Sequence, residues 1–181
     1  MTNGRLVGNR VIVWDLNASR NLFGHGYFGK PFGVPKPKRT EFDAPLVLDL
    51  IESLYLAENQ LLRVVDYSDQ LVRLAEIKTL CRSQYVDFDA KYLVFQNLRD
   101  KGYVVTPGIK FGCDFAVYQD GPGIDHAPYL VEVFRHSDDI TATGIVLAGR
   151  LATTVKKQYV LAIPTMKERK VEYVGFDWWR A

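Results

Sequence analysis

Apolar positions along this chain change their period several times, and each change predicts an element. Residues 5–16, RLVGNRVIVWDL, are rich in β-branched side chains and predict one strand or two. Residues 23–45, FGHGYFGKPFGVPKPKRTEFDAP, break the pattern. Pro lacks an N–H and Gly costs entropy in helix and strand alike, so no regular element is expected through this stretch. Loops of this length inside compact domains are uncommon and are usually functional or disordered. After Pro45, the leucines 46, 50, 54 and 61 recur near helical spacing and predict a helix with Pro45 in its first turn. LLRVVDYS predicts a strand. DQLVRLAEIKTLCRSQ predicts a second helix, with Leu71, Leu74, Ile77, Lys78 and Cys81 along one face.

A third helix is expected through YVDFDAKYLVFQNLRDKGY, with Asp87 or Asp89 as N-cap and Gly102 as C-terminal stop. The stretch from Tyr85 to Asp89 is the expected boundary between residues 1–86, a small N-terminal α+β domain carrying the 23–45 loop, and residues 87–181. The second half reads as strands at 103–106, 112–118 and 129–135, a helix at about 138–156, and strands at 158–163 and 171–179. Strands on both sides of one long helix predict an α/β domain with a mostly antiparallel mixed sheet.

Composition adds little to this. The chain has 181 residues, 48% apolar and 24% charged, which suits a globular protein with a real core. A net charge of +2 argues for no nucleic-acid partner by itself, so any basic surface must be local. Cys81 and Cys113 have no CxxC partner and imply neither a zinc site nor a disulfide framework. No apolar run is long enough for a signal peptide or a membrane span, so a soluble, cytoplasmic protein with no membrane association is expected.

The candidate chemistry gathers around GIKFGCDFAVYQDGPGIDHAPYLVEVF, residues 108–134. Tyr118 ends a strand, a Gly-Pro-Gly turn follows, and His126 precedes the next strand. Farther on, Lys156 and Lys157 stand where the long helix gives way to a strand in TTVKKQYVLAI. Each has an ordinary reading: packing for the tyrosine, solvation for the histidine, and complementing the helix dipole for the lysines. Taken singly, none carries a function.

Taken together, they resemble the archaeal tRNA-splicing endonuclease family. The likeness runs through KYLVFQNLRDKGYVVTPGIKFGCDFAVY, the histidine-bearing loop before YLVEVF, and GR…TTVKKQYVLAI, and its most specific part is G-x-K-[FY]-G-x-D-F-x-x-Y. The resemblance implies that Tyr118, His126 and Lys157 are catalytic, with Lys156 the position that a one-residue shift would choose. It implies no metal and no other cofactor. The residue types suit cleavage of RNA through its own 2′-hydroxyl. A histidine of ordinary pKa near 6.5 can protonate the 5′-oxygen leaving group. A tyrosine, at about 10, needs a nearby cation to act as base. A lysine supplies that cation and stabilises charge in the transition state. The products implied are a 2′,3′-cyclic phosphate and a 5′-hydroxyl.

Two further positions follow from the resemblance. Arg150 is expected to stack on a flipped-out base of the bulge at the splice site, and seven-residue spacing would set it on the helix face of Lys157. A second family arginine aligns here with Trp178, a departure that stacking chemistry tolerates. Two other functions compete. A magnesium-dependent nuclease could use Asp114 and Glu132, but Phe134 stands where its lysine belongs. A non-catalytic RNA-binding or structural subunit of the same complex would have no need of the Tyr/His/Lys set.

Family members assemble as pairs of pairs, through a C-terminal strand and through an acidic loop entering a basic cleft. Here VEYVGFDWWR supplies the strand, with Tyr173, Phe176, Trp178 and Trp179 as its aromatic residues. The loop PTMKERK is basic, so the resemblance implies an α2β2 heterotetramer in which a structural subunit donates the acidic loop. Precursor tRNA with a bulge-helix-bulge motif is the implied substrate. In the 23–45 loop, Lys36, Lys38 and Arg39 are expected to contact phosphate, and Tyr27, Phe28 and Phe32 to offer stacking faces. His25, flanked by glycines, is expected to be a bystander.

Overall fold

A computed structural model of the chain describes every residue except 35, 36, 38, 39, 123–126 and 177–181. The described chain divides into two compact units, Met1–Phe88 and Asp89–Ala181. No helix among the described residues is long and apolar enough to cross a membrane.

The first unit opens with strands β1 (Thr2–Val7) and β2 (Arg10–Val13), paired antiparallel. Helix α1 (Leu16–Gly26) follows at once, running into the stretch where the Gly-rich sequence predicts no regular element. Its cause is local and then tertiary. The Asp15 side chain accepts from Ala18 N at 2.7 Å, capping the first turn, and Leu22 and Phe23 are buried. Burial of those apolar side chains overrides two unfavourable glycines. Next come a two-residue strand β3 (Lys30–Pro31) and strand β4 (Leu46–Asp49).

Leu46 to Asp49 is thus a strand, where leucine spacing predicts helix. Leu46 and Leu48 are both fully buried, and β4 lies between β3 and β2, so burial on one sheet face decides their conformation. Helix α2 (Leu50–Glu58) begins only after Asp49, which forms a capping box with Glu52. The Asp-x-x-Glu signature at this start is present in the sequence. Glu52 also accepts from Gly29 N at 2.9 Å and so pins the turn before β3 to the helix. At Gly29, with φ of +70°, a Cβ would lie 2.7 Å from Val47 O, so only glycine fits. Strand β5 (Leu62–Val65) and helix α3 (Leu74–Gln84) complete the unit. Of the face predicted for α3, Ile77 and Cys81 are buried, while Leu71 and Leu74 lie outside the core.

The five strands order as β3-β4-β2-β1-β5, with β1 and β5 parallel. Alternation is clean: Val11, Val13, Leu46, Leu48, Leu62 and Val64 are buried on one face. Their neighbours Ile12, Val47 and Val65 are half-buried, and Arg10, Lys30 and Arg63 are exposed.

The second unit begins in helix α4 (Phe88–Asp100), closed by Gly102 in the left-handed region as expected. A five-stranded mixed sheet follows: β6 (Val104–Pro107), β7 (Phe115–Tyr118), β8 (Tyr129–Val133), β9 (Gln158–Thr165) and β10 (Lys170–Phe176), in the order β10-β9-β8-β7-β6. Only β8 and β9 are parallel, linked by helix α5 (Ala142–Thr154). The α4 side receives Phe95 against Phe115, and Arg99, whose Nη2 donates to Val105 O at 3.0 Å. The α5 side holds Ala116, Ala127, Leu130, Ala152, Tyr159 and Leu161 as one cluster, with Phe111, Tyr118 and Phe176 packed on it. This two-domain mixed α/β architecture is the expected fold class.

Candidate active site

The motif before Tyr118 is a rigid mount. Ile109–Phe111 form a 3-10 turn that ends at Gly112, in the left-handed region at φ +70°. At Gly108 an added Cβ would meet Cys113 Sγ at 2.6 Å and Cys113 O at 2.8 Å, so the turn closes tightly on itself. Asp114 fixes the turn to the sheet: its carboxylate takes Lys91 Nζ at 2.7 Å and Val133 N at 2.9 Å. Glycines, aspartate and phenylalanine in this motif are therefore structural, and they aim Phe111 and Tyr118 at the α5 side.

Register places the next residues. Ala116, Leu130 and Tyr159 form one row across β7, β8 and β9 on that side. Two residues after Ala116, and two before Leu130 and Tyr159, the extension of this row past the last strand pairs holds Tyr118, Pro128 and Lys157. Gln158 N donates to Pro128 O at 2.8 Å, which keeps the strand ends in step. Tyr118 and Lys157 thus flank Pro128 on one face, with backbones about two strand spacings, ~10 Å, apart.

Lys157 is not on the helix. Helix α5 ends at Thr154, Val155 caps it, and Lys156 adopts φ of +56°. Expected dipole complementation by the lysines and the shared helical face of Arg150 and Lys157 are both corrected by this. No basic residue lies in the last turn of α5, and Arg150 is exposed on the helix proper. The kink at Lys156 turns Lys157 inward. Its ammonium donates to Ala127 O at 2.6 Å and lies over the Phe111 ring, 5.4 Å from the centroid. Ala127 is the residue after His126 in the chain. Lys156 itself is exposed.

His126, Trp178, Lys36, Lys38 and Arg39 lie outside the described residues. In the Gly-rich stretch, the expected stacking role of Phe28 is overturned. Phe28 is buried and stacked on Tyr55 at 6.0 Å, and Tyr27 caps α1 with its ring against Phe23. Phe32 alone of the three is open, at 70% exposure. His25 Nδ1 pairs with Asn21 O at 2.8 Å on its own helix.

The two carboxylates of the magnesium-nuclease reading have other occupations. Asp114 serves the mount, and Glu132 accepts from the Tyr159 hydroxyl. Desolvation, with that bond to Glu132, raises the Tyr159 pKa and keeps the phenol neutral. Burial likewise pushes the Cys113 thiol up to about 12, so it sits in this region as an inert group.

At the sheet edge, β10 keeps two of its aromatics occupied. The Tyr173 hydroxyl donates to Asn97 Oδ1 at 2.9 Å, and Phe176 packs on Tyr159 at 6.0 Å. In the turn before β10, Arg169 reaches Gln96 at 3.2 Å, and Lys170, the first residue of β10, pairs with Glu168 at 3.2 Å.

Sequence models described as "tRNA intron endonuclease, N-terminal domain" and "tRNA intron endonuclease, catalytic C-terminal domain" match residues 2–78 and 88–173. A protein named "tRNA-splicing endonuclease" from Hyperthermus butylicus is 43% identical over 178 residues, covering 98% of each chain. One of the same name from Saccharolobus solfataricus is 38% identical over 179 residues, again at 98% coverage of each. The chain belongs to the tRNA intron endonuclease family.

Proposed function

We propose that this chain is the catalytic subunit of a tRNA-splicing endonuclease, which excises introns from precursor tRNA at bulge-helix-bulge sites by metal-independent transesterification. The observation that carries this reading is the row of Tyr118 and Lys157 about Pro128, with the Lys157 ammonium fixed by Ala127 O and Phe111. A half-buried cation held at two points is ready for developing phosphorane charge and needs no reorganisation during reaction.

In this mechanism Tyr118, as its phenolate, takes the 2′-hydroxyl proton, and Lys157 faces the charge that develops on the phosphorane. The 2′-oxygen attacks the adjacent phosphorus, and the P–O5′ bond breaks. His126 protonates the departing 5′-oxygen. The products are a 2′,3′-cyclic phosphate and a 5′-hydroxyl, and the enzyme returns to its starting charge once the two protons are exchanged. The inward, bonded position of Lys157 against the solvent-facing Lys156 supports the former as the catalytic lysine.

Arg150 and Trp178 stack on bulge bases, while Lys36, Lys38 and Arg39 meet phosphates. A structural subunit donates an acidic loop, giving α2β2. Support comes from the cations of the turn before β10 and from the position of β10 at the sheet edge, where another strand can add. The test is cleavage of an intron-bearing precursor tRNA in EDTA, with and without a co-expressed partner. Cutting at both splice junctions only with the partner is expected; an active tetramer of this chain alone would remove the heterotetramer.

A further inference from the structure

The N-terminal sheet has a face that the catalytic reading does not use. Opposite the buried leucines and valines runs one continuous row: Lys30, Val47, Ile12, Arg5 and Val65 on five adjacent strands. Arg63 and Asn3 form a second pair on the same face, both exposed. At the sheet end, one step beyond the row Val13–Leu46–Pro31, stand Trp14, Pro45 and Phe32. Phe32 N donates to Pro45 O at 2.8 Å, so the alignment persists past the last strand pairs. Alternation turns these three away from the core. Trp14 is 61% exposed and Phe32 70%, far beyond what packing leaves to large aromatics.

We infer that this face is an RNA-binding platform, with Trp14 and Phe32 as stacking surfaces and Lys30 and Arg63 as phosphate contacts. Two planar side chains about 10 Å apart, two strand spacings across, present ring faces that single-stranded or unpaired bases stack on without sequence preference. The charge has the matching sign. Arg5 pairs with Asp69, and Arg10 with Asp49 at 3.3 Å, so among the described residues the cations of this face with no ion pair are Lys30 and Arg63, at opposite edges of an apolar strip of Ile12 and Val47. An apolar strip framed by cations and capped by exposed rings fits a polyanion with aromatic bases better than an apolar protein surface, whose interface core is depleted of charge.

This inference rests on RNA being the substrate of the chain, and it places part of that RNA away from the cleavage row. The test measures binding of a full precursor tRNA to the assembled enzyme across a salt series. Trp14→Ala with Phe32→Ala should weaken affinity on the order of 10- to 100-fold. Trp14→Phe should restore most of the Trp14 part. Lys30→Ala with Arg63→Ala should flatten the slope of log K against log salt by about 1 to 2, which a merely structural role would not do. All four side chains are exposed, so these variants fold. Wild-type affinity and slope in both pairs would overturn the platform. So would unchanged RNA affinity with an altered assembly mass, which would make the face a protein contact. If the enzyme binds precursor tRNA without cutting it, the catalytic reading fails while the platform is still scored.

Discussion

Each sheet of this protein ends in a proline flanked by two chemically pointed side chains, and the two ends are built oppositely. In the C-terminal sheet, Tyr118 and Lys157 flank Pro128 on a face covered by α5, and the ammonium has a carbonyl and a ring to hold it. In the N-terminal sheet, Trp14 and Phe32 flank Pro45 on the face away from the core and stand largely in solvent. The difference suits the two kinds of work proposed for them. Catalysis needs groups fixed in a partly desolvated place, where charge acts strongly and need not reorganise. Stacking needs an open aromatic face and tolerates movement.

The largest effect belongs to the covered end. Lys157→Gln should reduce single-turnover cleavage by about 10²–10³-fold, while Lys156→Gln, one residue away and exposed, should cost less than about 3-fold. Equal losses from both would erase the distinction drawn from the kink at Lys156. The mount comes next. Gly108→Ala introduces a methyl at 2.6 Å from Cys113 Sγ, and overpacking of this kind costs about 1–3 kcal/mol. The urea midpoint should fall at unchanged m-value; an unchanged midpoint would mean the turn yields freely.

Phe111 sharpens the comparison further. Phe111→Leu keeps apolar bulk but removes the ring beneath the ammonium, an interaction of about 0.5–2 kcal/mol, or roughly 3- to 30-fold in rate. The loss should appear in kcat with RNA affinity intact, be restored by Phe111→Tyr, and vanish in a Lys157→Gln background. Additive losses in that double variant would show that Phe111 acts on something else.

A further effect, outside the site comparison, is on stability in alkali. Burial raises both Cys81 and Cys113 to about 12. Below pH 9 the thiols are neutral folded and unfolded, so they make no pH-dependent difference. Between pH 9 and 12 the unfolded chain loses those protons and the folded chain does not, so stability should fall as pH rises. Urea midpoints from pH 8 to 10.5 check this, and Cys81→Ala with Cys113→Ala should lessen the slope, most of all below pH 10, where the buried phenols of Tyr85, Tyr159 and Tyr173 contribute little.

What could be read without coordinates divides along the same line. The C-terminal elements, the Gly102 stop and the positions of Tyr118 and Lys157 at strand ends follow from alternation and punctuation. Their arrangement in one row does not, because register across β7, β8 and β9 depends on non-local pairing. In the N-terminal half, leucine spacing misleads at 46–49, since a strand buried on one face and a helix start can share leucines. The Asp49–Glu52 box was the local signal that separates them. Helix α1 was hidden because its glycines outweigh its Asp15 cap on propensity alone. Trp14 was legible only as part of a strand, and its exposure depends on a sheet face that sequence cannot assign.

The most direct measurement is cleavage of an intron-bearing precursor tRNA by the assembled enzyme in EDTA, with the ends of the cut RNA identified. The account predicts undiminished cutting, 2′,3′-cyclic phosphate and 5′-hydroxyl ends, and loss of that cutting in Lys157→Gln. Cleavage that stops in EDTA, or that leaves 5′-phosphate ends, would contradict it.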